Sequence, residues 1–336
     1  MRYSYLFYIA FCCISCSTTS LDKKVIQGQA FGTTYTIQYY GDRPEKNIQL
    51  ALDSIFYAVN TSMSTYVPQS DISKINTGDS TVVTDAMFQE VFMLSRKVNQ
   101  QSQGYFDPTI GVLRNAYGFG DVKPLTSIDK VILDSLMQYV GWHKVALQAN
   151  GTIRKQHPEI YFDFNAIAKG YGIDQIAHYL DNQHIEDYLI ELGGELSAKG
   201  ENKEKTQAWV VGIESIDSPL ENRSYSATLN LDNRAMAASG NYRKTRIDTI
   251  SGKRYVHTIN PLTGSAERSD VLSAVVLAPT CAQADAWATA FMAMGYERAM
   301  QALKNESSIE AYLIYADSLG QEQVYITPGF EEVLNH

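Results

Sequence analysis

The chain has 336 residues, 45% of them hydrophobic, which is enough for one large body or two smaller ones with real cores and argues against a disordered protein. Its 28 basic and 37 acidic side chains leave a net charge of −9 with no Lys/Arg block, so nucleic acid is not an expected partner.

The N-terminus carries one early charge, Arg2, followed by the apolar run YSYLFYIAFCCIS, too short and too poorly flanked for a spanning helix. Residues 1–15 read as a secretory signal. Ser15 before Cys16 is the arrangement a lipoprotein signal peptidase needs, so Cys16 is expected to become a lipid-bearing N-terminus. That places the protein on the extracytoplasmic, periplasmic side of a bacterial membrane, held by a lipid anchor. Cys13 stands where such signals usually carry Leu, Val or Ile, which keeps an uncleaved anchor open as the alternative. Cys13 and Cys16 also spell CxxC, but an apolar leader lacks the strand-to-helix context of a redox site. Residues 16–25 read as a tether and residues 26–336 as the folded body.

Within the body, FGTTYTIQYY from Phe31 has the aromatic and β-branched content of a strand, and PEKNIQLALDSIFYAVNTSMS that of a helix opened by Pro44. A further helix is expected from Asp85 to about Asn99. EIYFDFNAIAKGYGIDQIAHYL passes from a short apolar strand into an amphipathic helix with Ile173, Ile176, Ala177 and Leu180 on one face. Alternating strands follow from about Tyr188 to Leu277, punctuated by Gly193–Gly194, by SGN from Ser239 and by SGK from Ser251. Cys281 opens an alanine-rich helix, a second helix runs to about Asn305, and a hairpin turns around Asp317 to Gly320. The pattern predicts an α+β fold of largely antiparallel sheet with flanking helices.

Taken singly, the polar residues favour structural readings: Asp163 as a cap, Lys169 as a solvated charge, Gly193 and Gly194 as a turn, Asp285 as an ordinary helix residue. The GGE run is followed by strand-like sequence, so no helix N-terminus faces an anion there. Asp285 and Thr289 lie four apart, on one helix face, and a carboxylate with a hydroxyl suits a hard cation such as magnesium. The surrounding Ala282, Ala286, Ala288 and Ala290 imply close packing, where a lone carboxylate is costly.

In order along the chain stand FGTTY at Phe31, STY at Ser64, SDISKIN at Ser70, GYFDPTIG at Gly104, DFNAIAKGYGID at Asp163, ELGGELSAKG at Glu191, AASGNYR at Ala237, HTINPLTG at His257 and ADAWATAFMAMG at Ala284. This succession resembles the motifs of the ApbE family of FMN transferases. The resemblance implies a T-fold-like body with FAD in a cleft between its lobes. It also implies magnesium-dependent transfer of FMN from FAD to a threonine of an acceptor protein, with AMP released. The acceptor would be a subunit of a membrane redox complex. By the same resemblance Phe31, Tyr66, Tyr105, Phe106, Asp107, Asp163, Lys169 and Ile259 contact FAD, and the carbonyl of Ala166 joins Asp285 and Thr289 on the metal. Tyr66 suits stacking on a flat ring and Asp163 suits accepting hydrogen bonds.

Where the family often has Thr before SG, this chain has Ala238. His257 is the candidate base for the threonine hydroxyl, with a structural histidine at a strand edge as the alternative. Two other functions use the same residues: a hydrolase splitting FAD into FMN and AMP, and a lipid-anchored flavin-binding protein without turnover.

Overall fold

Eight strands lie side by side in the order Lys23–Ala30, Thr33–Tyr40, Asp187–Leu192, Glu195–Lys199, Ala235–Gly240, Val271–Ala278, Glu310–Ala316 and Glu322–Ile326, and every neighbouring pair is antiparallel. The computed structural model describes residues 22–216, 218, 224–241, 245–247 and 252–335. The leader, Cys16 and the first part of the tether lie outside them, as does Ser251 of SGK. Strand Thr33–Tyr40 pairs directly with Asp187–Leu192, so everything between Tyr40 and Asp187 is inserted between two neighbours of one sheet.

Alternate residues of each strand feed opposite layers, as the two-residue period of a pleated strand requires. Ile37, Tyr39, Ile190, Leu192, Ala235, Ala237, Ala274, Val276, Ala311 and Leu313 pack under helices. Tyr40, Leu189, Met236, Val275, Leu277 and Tyr312 meet Trp209, Leu229 and Leu231 of a second, four-stranded sheet. Val271–Ala278, covered on both faces, is accordingly apolar almost throughout. The helices over the first face are Glu45–Met63, Ala86–Gln101, Ala168–Asn182 and Cys281–Met294.

Cys281–Met294 is buried nearly all round, with Trp287 and Phe291 fully enclosed, and its alanines let it lie close on the sheet. Its N-terminus is capped twice. Thr280 Oγ1 accepts from Gln283 N at 3.3 Å, and Asp174 of the neighbouring helix accepts from Cys281 N at 2.7 Å and Ala282 N at 2.9 Å. Gly170 makes this approach possible, because a Cβ there would stand 2.4 Å from the Cys281 carbonyl oxygen.

At one end of the large sheet two turns stand side by side. Phe31 and Gly32 (φ 51° and 76°) and Gly193 and Gly194 (φ 64° and 104°) each close a two-residue hairpin of the left-handed kind. For Phe31 that conformation costs on the order of 1 kcal/mol. Strand Ala235–Gly240 runs antiparallel to Glu195–Lys199, with Met236 opposite Leu196, so Ser239 and Gly240 emerge at the same end. Over this end sits a smaller lobe whose own core is Leu113, Tyr117, Val140, Tyr255, Ile259 and Ala266.

Two sequence expectations change, and three helices are added. The first strand begins at Lys23, opposite Tyr40, so the last residues read as tether belong to the sheet edge. EIYFDF forms no regular strand: Tyr161 makes a single bridge to Ile110, while Asn76 takes up the Phe162 backbone on both sides, at 2.7 and 2.9 Å. The side chain thus replaces a strand partner, and Phe162 and Phe164 still reach the core. Helices Asp71–Asn76, Gly111–Tyr117 and Lys130–Met137 were not legible as elements.

Candidate active site

Two adjoining cavities, about 340 and 810 Å³, open where the two turns and the end of strand Ala235–Gly240 meet the smaller lobe, and Arg114, Asn165, Lys169 and Gly193 line both. The first is walled by Tyr105, Phe106, Asp107, Asp163, Ala166, Lys169, His257, Ile259, Asp285 and Thr289. The second has Phe31 and Tyr66 on its wall. Every site residue expected from the sequence motifs within the described chain therefore borders this one region. Cys16 lies outside the described residues.

The floor is ionic and buried. Lys169 pairs with Glu195, and both sit close to Asp285. Burial pushes the Glu195 carboxyl up to about 8 against the pull of Lys169, and it raises Asp285 as well. Asp285 takes one hydrogen bond, from Gly170 N at 3.2 Å, which leaves most of a buried carboxylate's acceptor capacity unused. Asp163 is ordered from two sides: Oδ1 accepts from the backbone and side-chain nitrogens of Asn165, each at 2.8 Å, and Oδ2 pairs with Arg114. Neither Asp163 nor Asp285 caps a helix.

Asp107 plays a more local part. Its carboxylate accepts from Thr109 N and Oγ1 at 2.9 and 2.7 Å and from Trp142 N at 2.8 Å, and burial raises its pKa. It shapes the loop that borders the cavity, with both oxygens engaged. Phe106 is likewise a core residue whose backbone is held by Ser102 and Asn99.

The rim is aromatic and more open. Tyr66 is 59% exposed, and Phe31 packs edge-on against Phe56 with ring centroids 5.4 Å apart. His257 is half-buried at the head of a loop fixed by Asn260, whose Oδ1 accepts from Leu262 N at 2.9 Å. Ala238, Ser239 and Gly240 line the first cavity, so the methyl that replaces a hydroxyl stands at the site.

A family model described as the ApbE family matches residues 31–313. The chain belongs to the ApbE family. It is 32% identical over 314 residues to the FAD:protein FMN transferase of Haemophilus influenzae, covering 90% of this chain and 89% of that protein. The corresponding Vibrio cholerae protein is 33% identical over 316 residues, with 92% of each covered. Among solved structures, the flavin transferase ApbE from Vibrio cholerae superposes with a TM-score of 0.82 at 30% identity, over 93% of this chain and 99% of that one. The α+β fold expected from the sequence is thus the ApbE fold.

Three residues at the heart of this ApbE-family site escaped the sequence reading. Glu195 closes the double-glycine motif, and the signal was an acid at the head of a strand, next to a turn. Asn165 lies inside the DFNAIAKGYGID motif and showed no role there. Arg114 carried no signal, because its helix was not seen and its partners, Tyr66 and Asp163, are remote in sequence.

Proposed function

We propose that this ApbE-family enzyme transfers the FMN half of FAD to a threonine hydroxyl of another protein and releases AMP. The observation that carries the reading is the pair of connected cavities, one with a buried ionic floor and one with an aromatic rim. A dinucleotide with two flat ring systems joined by a pyrophosphate matches that division.

Among the described residues that border the first cavity, Arg114 and Lys169 carry permanent positive charge, and each already faces a carboxyl, Asp163 and Glu195 respectively. A pyrophosphate adds further negative charge, so the site calls for a cation. Among the described residues no three His, Cys, Asp or Glu side chains converge, so a bound ion would draw on other oxygens too. Asp285, Thr289 and the Ala166 carbonyl would hold magnesium, a hard ion that takes few carboxylates and keeps positions for phosphate oxygens. Bound there, it would supply positive charge against the pyrophosphate and the departing AMP.

The chain's own residues do the rest. Lys169 brings a cation to the cavity while Glu195 fixes its ammonium. Tyr66 and Phe31 offer ring faces to a flavin or adenine, and Asp163 accepts hydrogen bonds from the nucleotide. His257, at the mouth, takes the proton of the attacking hydroxyl, which is too weak an acid to ionise unaided. A lipid on Cys16 would hold the enzyme to the periplasmic face of a membrane, next to a redox-complex subunit as acceptor. Support for the anchor is the CISCS sequence. No helix among the described residues is long and apolar enough to cross a membrane.

The test is AMP release from FAD. It should require both magnesium and an acceptor protein; FAD that stays intact with all three present would overturn the reading, and equal release without acceptor would make the protein a hydrolase.

A further inference from the structure

Helix Gly111–Tyr117 is strapped to the chain that leads into the Asp163 motif. Gly111 N donates to the Tyr161 carbonyl at 3.1 Å, Asp163 N donates to the Pro108 carbonyl at 2.8 Å, and a Cβ on Gly111 would lie 2.5 Å from the Tyr161 oxygen. This close strap delivers Arg114 to the wall shared by both cavities. Its side chain is only 19% exposed. One terminal nitrogen pairs with Asp163 Oδ2, and the other donates to the Tyr66 hydroxyl at 3.2 Å.

An exposed tyrosine normally samples several rotamers, whereas Tyr66 is tethered by a partly buried guanidinium. Asp163, with its carboxylate 6% exposed, is in turn neutralised at one oxygen by Arg114 and ordered at the other by Asn165. A guanidinium has five N–H donors in a rigid fork, and these two bonds leave several of them free at the junction. An ammonium could not serve both partners in the same plane.

We infer that Arg114 is a positioning residue for FAD, bracing Tyr66 and Asp163 so that the two cavities act as one dinucleotide site. The inference rests on the reading that FAD is the substrate. It assigns Arg114 to binding, so its removal falls on affinity more than on the chemical step. Losing a charge-assisted hydrogen bond and leaving its partner unmatched predicts FAD binding roughly 10- to 100-fold weaker.

The experiment measures FAD affinity by flavin fluorescence, kcat and KM for AMP release, and the melting temperature, for wild type, Arg114→Met and Arg114→Lys. Arg114→Met should raise Kd and KM together by that factor, with the loss in kcat/KM carried by KM. Arg114→Lys should recover part of the affinity by keeping the charge beside Asp163. Wild-type affinity in Arg114→Met would overturn the inference. So would a loss that tracks a lowered melting temperature and is not partly recovered by Arg114→Lys, because that pattern belongs to fold support alone. Failure of the wild type to bind FAD would overturn the substrate reading instead.

Discussion

The floor and the rim of the site are built on opposite terms. Lys169, Glu195 and Asp285 sit on the body's best-packed elements, two touching helices and a central strand; the two carboxyls are buried and the ammonium is partly so. Tyr66, Phe31 and His257 sit on turns and loops and keep open faces. Charge is strongest where the dielectric is low and the geometry cannot drift, which is where the proposed pyrophosphate and cation would need it. Under the proposed reading, ring faces and a proton acceptor would meet ligands that arrive and leave, which suits their place on turns and loops. The difference separates holding charge from handling the substrate.

The contrast is sharpest at His257. If it takes the proton of the attacking hydroxyl, His257→Gln should slow single-turnover AMP release by roughly 10²- to 10⁴-fold while FAD affinity changes little. Measured rates equal to wild type in a variant that binds FAD normally would move the base elsewhere. A parallel loss of rate, FAD affinity and thermal stability would mark a structural histidine.

A smaller effect probes the support beneath the floor. Burial pushes Asp174 up to about 7 although it accepts from Cys281 N and Ala282 N. The folded state therefore keeps a proton that the unfolded chain releases near pH 4, so this group's contribution is fully present below that pH and is lost as pH rises through about 7. Asp174→Asn does not titrate. Urea unfolding without added metal should show wild type losing roughly 4 kcal/mol more than the variant between pH 4 and pH 8. Parallel pH profiles would contradict it.

How much of this was legible depends on what kind of contact was at stake. The antiparallel sheet, the Asp85-capped helix, the Gly193–Gly194 turn and the alanine-rich helix announce themselves through local period and turn chemistry. The ordered motifs placed Asp163, Lys169, Asp285, Thr289 and His257 around one cavity. Pairings over long separations were not readable. Arg114 with Tyr66, Asp174 with the Cys281 helix and Asn76 with Phe162 each join elements that no periodicity links. Asp107 was expected at FAD through the family resemblance alone, and no sequence signal announced that its oxygens also hold Thr109 and Trp142.

The central claim is that the buried floor serves flavin transfer, and the covalent product tests it most directly. Mass spectrometry of a threonine-bearing acceptor, incubated with the protein, FAD and magnesium, should show one FMN unit added for each AMP released. Asp285→Asn, still folded and still able to bind FAD, should give no adduct at limiting magnesium. An unmodified acceptor with wild type, or an equal adduct with Asp285→Asn, would contradict the account.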